Sequence, residues 1–217
     1  MKKILLSGLK LFLAVFVYAQ QAPFYEDIQH FKKKDSAHFP AKGAVLFIGS
    51  SSFTKWTDVQ DYFPTHTIIN RGFGGSTLPD VIHYVNDIVF PYDPKQVVIY
   101  CGENDLASSD TVSAETVVSR FVTLFTMIRQ RYKKTSIVYV SMKPSPSRER
   151  LFLKMQAANA AIKTFLGTQK RTVFVNVYPL MLDASGQPRK ELFVEDMLHM
   201  NKSGYEIWQK ALEPVLK

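Results

Sequence analysis

The chain has 217 residues, of which 46% are apolar and 21% are charged, values that are ordinary for a globular protein. This length fits one domain with a sizeable core better than two small domains. The formal charge of +8 lies largely in short basic runs rather than in a stripe interleaved with aromatic residues, which argues against a nucleic-acid partner.

The first 19 residues have the pattern of a secretory signal peptide. Lys2 and Lys3 precede an apolar stretch from Leu9 to Val17, and the small residue Ala19 follows it. The stretch is shorter than the roughly 20 apolar residues of a membrane span, which disfavours the alternative of an uncleaved anchor. We therefore expect a signal peptide at residues 1–19 and one domain at residues 20–217. After export to the periplasm or the medium, that domain is expected to have no stable membrane insertion.

Five runs of strand length follow along the chain. They are rich in Val, Ile, Phe and Tyr and nearly continuous in apolarity, as expected for strands that are buried on both faces. The runs are Ala44–Ile48, Thr67–Asn70, Val97–Tyr100, Ser136–Ser141 and Thr172–Val177.

Stretches with the apolar spacing of one helix face lie between and after these runs. They extend from Leu78 to Val89, from Val117 to Ile128, from Leu151 to Phe165 and from Tyr205 to Val215. Ser113, with Glu115 two residues later, is a plausible N-cap of the second helix. Such an alternation predicts right-handed crossovers and a parallel sheet that is covered on both faces. We therefore predict an α/β fold, a flavodoxin-like three-layer α/β/α sandwich with a five-stranded parallel sheet.

Polar segments follow the first two strands, at the sheet edge where ligands bind in such folds. Gly49 and three serines, Ser50, Ser51 and Ser52, come directly after the first strand and could present a hydroxyl there. Taken alone, a serine in this place is more often a helix cap. The segment Asn70–Thr77 contains three glycines, whose backbone N–H groups could approach a phosphate or a developing oxyanion. It lacks the full spacing of a dinucleotide-binding motif.

Two further segments carry an amide and an acid–histidine pair. Asn104 follows the third strand, where its side-chain amide could donate to developing negative charge, although a turn role is the commoner use of asparagine in loops. Asp196 lies three residues before His199, so its carboxylate could hold Nδ1–H and leave Nε2 free to accept a proton. Cys101 ends the third strand, and a packing role is favoured over a reactive thiol because no basic residue adjoins it.

In their order and their positions at strand ends, the four segments resemble the blocks of SGNH (GDSL-like) hydrolases. The resemblance extends from Val45 to Trp208. It implies that Ser51 is the catalytic nucleophile, that His199 is the general base and that Asp196 orients His199.

The same resemblance implies an oxyanion hole formed by the N–H groups of Ser51 and Gly75 and by the side-chain amide of Asn104. Two residues depart from the family pattern, because Ser50 and Ser76 replace aspartates of the first and second blocks. Neither position takes part in proton transfer in the family, so the departures bear on local support and substrate preference more than on the reaction.

The resemblance implies a serine esterase that hydrolyses acyl esters through an acyl-enzyme intermediate. We favour short acyl groups on carbohydrates because the sequence has no long apolar lid segment, and export would suit the scavenging of glycans. The alternatives are a lipid or lysophospholipid acylhydrolase and a catalytically inactive binding protein on the same fold. The expected partner is a small-molecule or glycan ester. No cofactor and no metal are expected, because histidines and acids do not cluster at ligand spacing.

Overall fold

The computed structural model describes residues 21–217, so the signal peptide expected at residues 1–19 lies outside the described residues. Among residues 21–217, no helix combines the length and the apolarity that crossing a membrane requires. The first described helix, α1 (Tyr25–Ala37), precedes the first strand and was not predicted. Its periodicity is weak because Ile28 is the one residue that it buries.

A five-stranded parallel sheet forms the centre of the described part, as predicted, with the order β2-β1-β3-β4-β5. The strands are β1 (Val45–Gly49), β2 (Ile68–Gly72), β3 (Gln96–Tyr100), β4 (Ser136–Val140) and β5 (Thr172–Val175). Their bounds lie within two residues of the predicted runs. Every residue of β1, β3 and β4 is buried, in keeping with their continuous apolarity.

Helices connect the strands on both sides of the sheet. They are α2 (Ser51–Thr54), α3 (Val59–Tyr62), α4 (Leu78–His83), α5 (Val85–Ile88), α6 (Glu103–Ser108), α7 (Ala114–Arg131), α8 (Phe152–Gly167) and α9 (Lys202–Leu212), with 3₁₀ turns at Pro146–Leu151, Pro179–Met181, Lys190–Leu192 and Glu213–Val215. Ser113 caps α7 as predicted, and its hydroxyl accepts the N–H of Thr116. One helix was expected from Leu78 to Val89, but the structure has two helices there, α4 and α5. They are separated at Tyr84, whose backbone has a ψ of 11°.

Two hydrophobic layers sandwich the sheet, which confirms the predicted three-layer architecture. Alternate residues of β1 point to opposite layers: Leu46 and Ile48 pack with α1, α4, α5, α7 and α8. Val45 and Phe47 pack with α2, α3 and α9, where Trp208 is fully buried. The connecting helices therefore bury one face each, and because the strands are parallel, the carboxyl ends of all five lie at the same edge of the sheet.

The end of β1 approaches β3 so closely that only glycine fits there. Gly49 has a φ of 134°, and a Cβ atom at this position would lie 1.9 Å from the carbonyl oxygen of Tyr100. The next N–H, from Ser50, donates to that same oxygen at 3.1 Å. The chain consequently leaves β1 in a sharp turn, and α2 begins at Ser51 on the carboxyl edge of the sheet.

Candidate active site

Ser51 is held at the sheet edge by the turn between β1 and α2. The carbonyl of Ser50 accepts the N–H groups of Phe53 and Thr54 at 3.0 and 3.3 Å, which closes the first turn of α2. Ser52 is buried, whereas Ser51 remains partly exposed. Of these two neighbouring hydroxyls, that of Ser51 is therefore the one that solvent or a substrate can reach.

Ser51, His199 and Asp196 meet in space although Ser51 is 148 residues from the histidine. The Nε2 atom of His199 lies 2.9 Å from Ser51 Oγ. The Nδ1 atom of His199 lies 2.5 Å from Asp196 Oδ2, so the carboxylate fixes the tautomer with its proton on Nδ1. In that tautomer Nε2 accepts the hydrogen of the Ser51 hydroxyl, which is the geometry of a serine nucleophile and its base.

The carboxylate of Asp196 is also bound by the backbone of its own loop. Its Oδ1 atom accepts the N–H groups of Leu198 and His199, each at 2.9 Å. Burial opposes ionisation of this carboxyl, but the hydrogen bonds from His199 and Leu198 outweigh burial and lower its pKa to about 2. Asp196 is consequently an anion at any pH at which a neutral histidine could act as a base.

The loop after β4 contacts the segment Phe193–Asn201, which carries Asp196 and His199 and which we call the histidine loop. Met197 has a φ of 54°, a left-handed conformation that is uncommon for a residue with a side chain. Its carbonyl accepts both the N–H and the hydroxyl of Ser147 at 3.0 Å. In the sequence, the segment Lys143–Ser147 shows only the prolines that are typical of a turn. Nothing in it predicts a contact with Met197, which lies 50 residues further along the chain than Ser147.

The three predicted oxyanion donors also lie at this edge. Gly75 has a φ of 84° and is exposed, and Asn104 lies in the first turn of α6. Within residues 21–217, neither the Ser51 N–H nor the Gly75 N–H has a hydrogen-bond acceptor. Asn104 Nδ2 donates one hydrogen to the carbonyl of Ser76 at 3.1 Å, which leaves its second hydrogen available. These groups could together bind one negatively charged oxygen.

Ser76, one of the two departures from the family pattern, is fully buried and connects three segments. Its hydroxyl donates to the carbonyl of Gly49 at 3.1 Å, and its own carbonyl accepts the amide of Asn104. The serine therefore provides local support between the first, second and third segments. Ser50, the other departure, is also buried and lies in the turn beside Ser51.

Carboxylates already accept the N–H groups at the start of α4. This argues against a phosphate-binding site, which was one of the two roles considered for the glycine-rich segment Asn70–Thr77. Asp105 is fully buried and accepts the N–H of Leu78 at 2.9 Å. Asp80 accepts the N–H of Thr77 at 2.8 Å. Burial raises the pKa of Asp105, while the bonds from Leu78 and Arg120 oppose that rise. A phosphate at this helix end would have to displace a buried carboxylate.

Cys101 lies next to the site but is not a rival nucleophile. Its side chain is buried, and burial raises the pKa of the thiol well above its usual range. The Sγ atom donates to the carbonyl of Ser76 at 3.7 Å. Cys101 is therefore a protonated packing residue, which agrees with the role that its sequence context favours.

Comparison with protein families identifies the family to which this sequence is similar. The model of the GDSL-like Lipase/Acylhydrolase family matches residues 47–207, which is most of the chain and includes Ser51, Gly75, Asn104, Asp196 and His199. A search of curated proteins finds no significant match.

Solved structures share the fold. A Streptococcus pneumoniae protein, provisionally named as a platelet activating factor, is 23% identical with a TM-score of 0.76 and covers 88% of this chain and 92% of its own. A GDSL-like lipase from Bacteroides thetaiotaomicron is 22% identical with a TM-score of 0.73, covering 86% and 95%. An acetyl-xylooligosaccharide esterase from Geobacillus is 16% identical with a TM-score of 0.63, covering 80% and 94%. At these identities, the likeness establishes the fold.

Because its pKa is lowered, the carboxyl group of Asp196 should remain ionised in acidic solution. We expect the carboxyl to remain charged down to about pH 3, because its folded pKa is about 2 whereas an unfolded aspartate titrates near ~3.9. Any stability gained from this difference is present above pH ~4 and is lost as the pH falls towards 2. An NMR titration of the carboxyl carbon, assigned with Asp196→Asn, measures the midpoint. A midpoint near 4 would contradict the hydrogen bonding described for this loop.

Proposed function

We propose that this chain, which belongs to the GDSL-like Lipase/Acylhydrolase family and is a carboxylic ester hydrolase, removes short acyl groups from carbohydrates through Ser51. The observation that supports the assignment of Ser51 is its 2.9 Å contact with His199, whose other nitrogen is bound by Asp196. Export of the protein is part of the proposal and is supported by the pattern of residues 1–19.

In the first step, Ser51 Oγ attacks the ester carbonyl while His199 Nε2 takes the hydroxyl proton. The charge that forms on the carbonyl oxygen is stabilised by the N–H groups of Ser51 and Gly75 and by the amide of Asn104. His199, now cationic, is stabilised by the ionised Asp196 and gives its proton to the leaving alcohol. An acyl group then remains bonded to Ser51 Oγ.

In the second step, water replaces the alcohol. His199 Nε2 takes a proton from the water, whose oxygen attacks the acyl carbonyl. The same donors stabilise the second tetrahedral intermediate. It collapses to the free acid as His199 returns the proton to Ser51 Oγ, which regenerates the enzyme.

A cavity near the loop that carries Asp196 and His199 supports a hydrophilic substrate. It has a volume of about 700 Å³ and is lined mainly by polar and charged residues, although Ser51, Asp196 and His199 do not themselves line it. Its lining residues are Pro146, Glu149, Leu182, Asp183, Gln187, Pro188, Arg189, Lys190 and Glu191. Glu191 adjoins the histidine loop, because its carbonyl accepts the side chain of Asn201 at 2.8 Å. Such a lining suits the hydroxyl groups of a saccharide better than an acyl chain of a lipid.

One of the similar structures also supports a carbohydrate substrate. It is an acetyl-xylooligosaccharide esterase, a protein of the same fold whose name gives an acetylated oligosaccharide as the substrate. The exposure of Gly75 and the partial exposure of Ser51 also indicate an open site, which a short acyl group can reach without a lid.

Replacement of Ser51 by alanine tests the nucleophile. With purified protein and 4-nitrophenyl acetate, we expect Ser51→Ala to lower kcat by on the order of 10⁴-fold or more, because removal of a serine nucleophile disables both steps. Ser52→Ala is the matched control, since it removes a neighbouring buried hydroxyl and should leave kcat within about threefold. Turnover by Ser51→Ala within about tenfold of the unchanged protein would exclude this nucleophile.

A substrate series tests the acyl and alcohol preference. We expect kcat/KM to be highest for acetyl esters and to fall at least about tenfold by the octanoyl ester, a decrease of roughly 1.4 kcal/mol in transition-state binding. Acetylated xylo-oligosaccharides should be deacetylated, with the released acetate measured directly. Dominance of long acyl chains would instead support the lipid acylhydrolase. Absence of turnover with every ester would support the inactive binding protein.

A further inference from the structure

A buried ion pair includes Glu103, the residue before Asn104. The Lys143 Nζ atom is 3.1 Å from Glu103 Oε2, and the two side chains are 2% and 5% exposed. Tyr100 donates its hydroxyl to the same carboxylate oxygen at 2.5 Å, and Ser145 donates to the other oxygen at 3.2 Å. We call these four residues the Glu103 cluster.

Tyr100 and Arg148 complete the surroundings of the Glu103 carboxylate. Burial raises the pKa of Tyr100 well above its usual range, so its hydroxyl keeps the proton and donates to Glu103. A second cation faces the carboxylate, because Arg148 Nε lies 3.8 Å from Glu103 Oε1. The carboxylate is therefore surrounded by two cations and two hydroxyl donors.

Stability alone gives little reason for such a cluster. Removal of two charges from water is energetically costly, and well-packed apolar residues often replace buried pairs without loss of stability. A buried pair does, however, fix the relative positions of the elements that carry it, since breaking it leaves an unpaired charge. The location of the pair consequently indicates what it holds in place.

The cluster joins the two halves of the proposed catalytic machinery. Glu103 immediately precedes Asn104 at the start of α6, so its carboxylate restrains the turn that presents the asparagine amide. Lys143 and Ser145 lie in the loop after β4, which continues to Ser147. Ser147 donates two hydrogen bonds to the carbonyl of Met197, and Met197 lies two residues before His199.

We propose that Glu103 is a positioning residue, which together with Lys143 and the loop after β4 sets the distance between the oxyanion donor Asn104 and the base His199. This inference rests on the proposed function of Ser51. The two groups act on opposite sides of the reacting carbon, since Asn104 faces the carbonyl oxygen and His199 faces the attacking and leaving oxygens. Both must be correctly placed at the same moment.

The principal test replaces both members of the Glu103–Lys143 pair at once, so that neither is left without the other, while Arg148 keeps a side chain that is 26% exposed to solvent. In the double variant Glu103→Gln with Lys143→Met, we expect kcat to fall about 10- to 100-fold while KM stays within about twofold, the size of effect that a displacement of about 1 Å can produce. The midpoint of thermal unfolding is measured in parallel. An unchanged kcat in a folded double variant would overturn the proposal.

A control separates positioning from general loss of stability. Gln96 is fully buried at the start of β3, at the opposite edge of the sheet, and its side chain donates to the carbonyl of Val215 at 2.9 Å. Gln96→Leu should lower the unfolding temperature and leave kcat unchanged. If Gln96→Leu lowers kcat as much as the double variant at equal destabilisation, the role of Glu103 is structural only.

A second pair of variants keeps the proposal testable if the double variant does not fold. Ser147 is exposed, so Ser147→Ala removes its hydroxyl bond to Met197 without a change in the core, and Ser147→Thr retains the hydroxyl. We expect kcat to fall about threefold to tenfold in Ser147→Ala, with recovery in Ser147→Thr. Equal kcat in both variants would overturn the link between this loop and His199.

The outcomes also distinguish this inference from the proposed function. Substantial turnover by Ser51→Ala would remove the function on which the inference rests. An inactive Ser51→Ala variant, combined with unchanged kcat in the variants of Glu103, Lys143 and Ser147, would leave the esterase mechanism intact and overturn the positioning role alone.

Discussion

The close approach of β1 and β3 is the constraint on which the rest of the site depends. Gly49 has no room for a side chain against the Tyr100 carbonyl, and its own carbonyl accepts the N–H of Phe73 at 2.9 Å and the hydroxyl of Ser76 at 3.1 Å. One glycine at the end of β1 thus contacts both the end of β3 and the segment that follows β2. Because the strands are parallel, these segments meet at a single edge, where Ser51 is the first residue beyond the turn.

The polar groups of the site are fixed by neighbours that do no chemistry themselves. Asn104 lies between two buried carboxylates, Glu103 and Asp105, which bind in different directions. Asp105 binds the first N–H of α4, next to the glycine segment, whereas Glu103 binds the loop after β4. The segment that carries Asn104 is consequently held from both sides, which would suit the proposed oxyanion donor, a group that must not reorganise as charge develops.

Much of the fold could be predicted from the sequence, because the strands are continuous apolar runs bounded by turns and the long helices have regular apolar faces. The helix α1 could not, since it buries little beyond Ile28, and neither could the break at Tyr84, which leaves the apolar spacing unchanged. The order of four short segments brought Ser51 and His199 to attention. The supporting contacts of Lys143 and Ser147 join residues distant in sequence, and no local pattern predicts them.

The central claim is that Ser51 is activated by His199, and covalent trapping tests it most directly. Diethyl 4-nitrophenyl phosphate reacts with activated serine hydroxyls, and intact-mass and peptide mass spectrometry locate the adduct. We predict one diethylphosphoryl group, attached to Ser51, and at least about a hundredfold slower labelling in His199→Ala, because the base is needed to activate the hydroxyl. An adduct on Ser50 or Ser52, or labelling of Ser51 that is as fast without His199, would contradict the account.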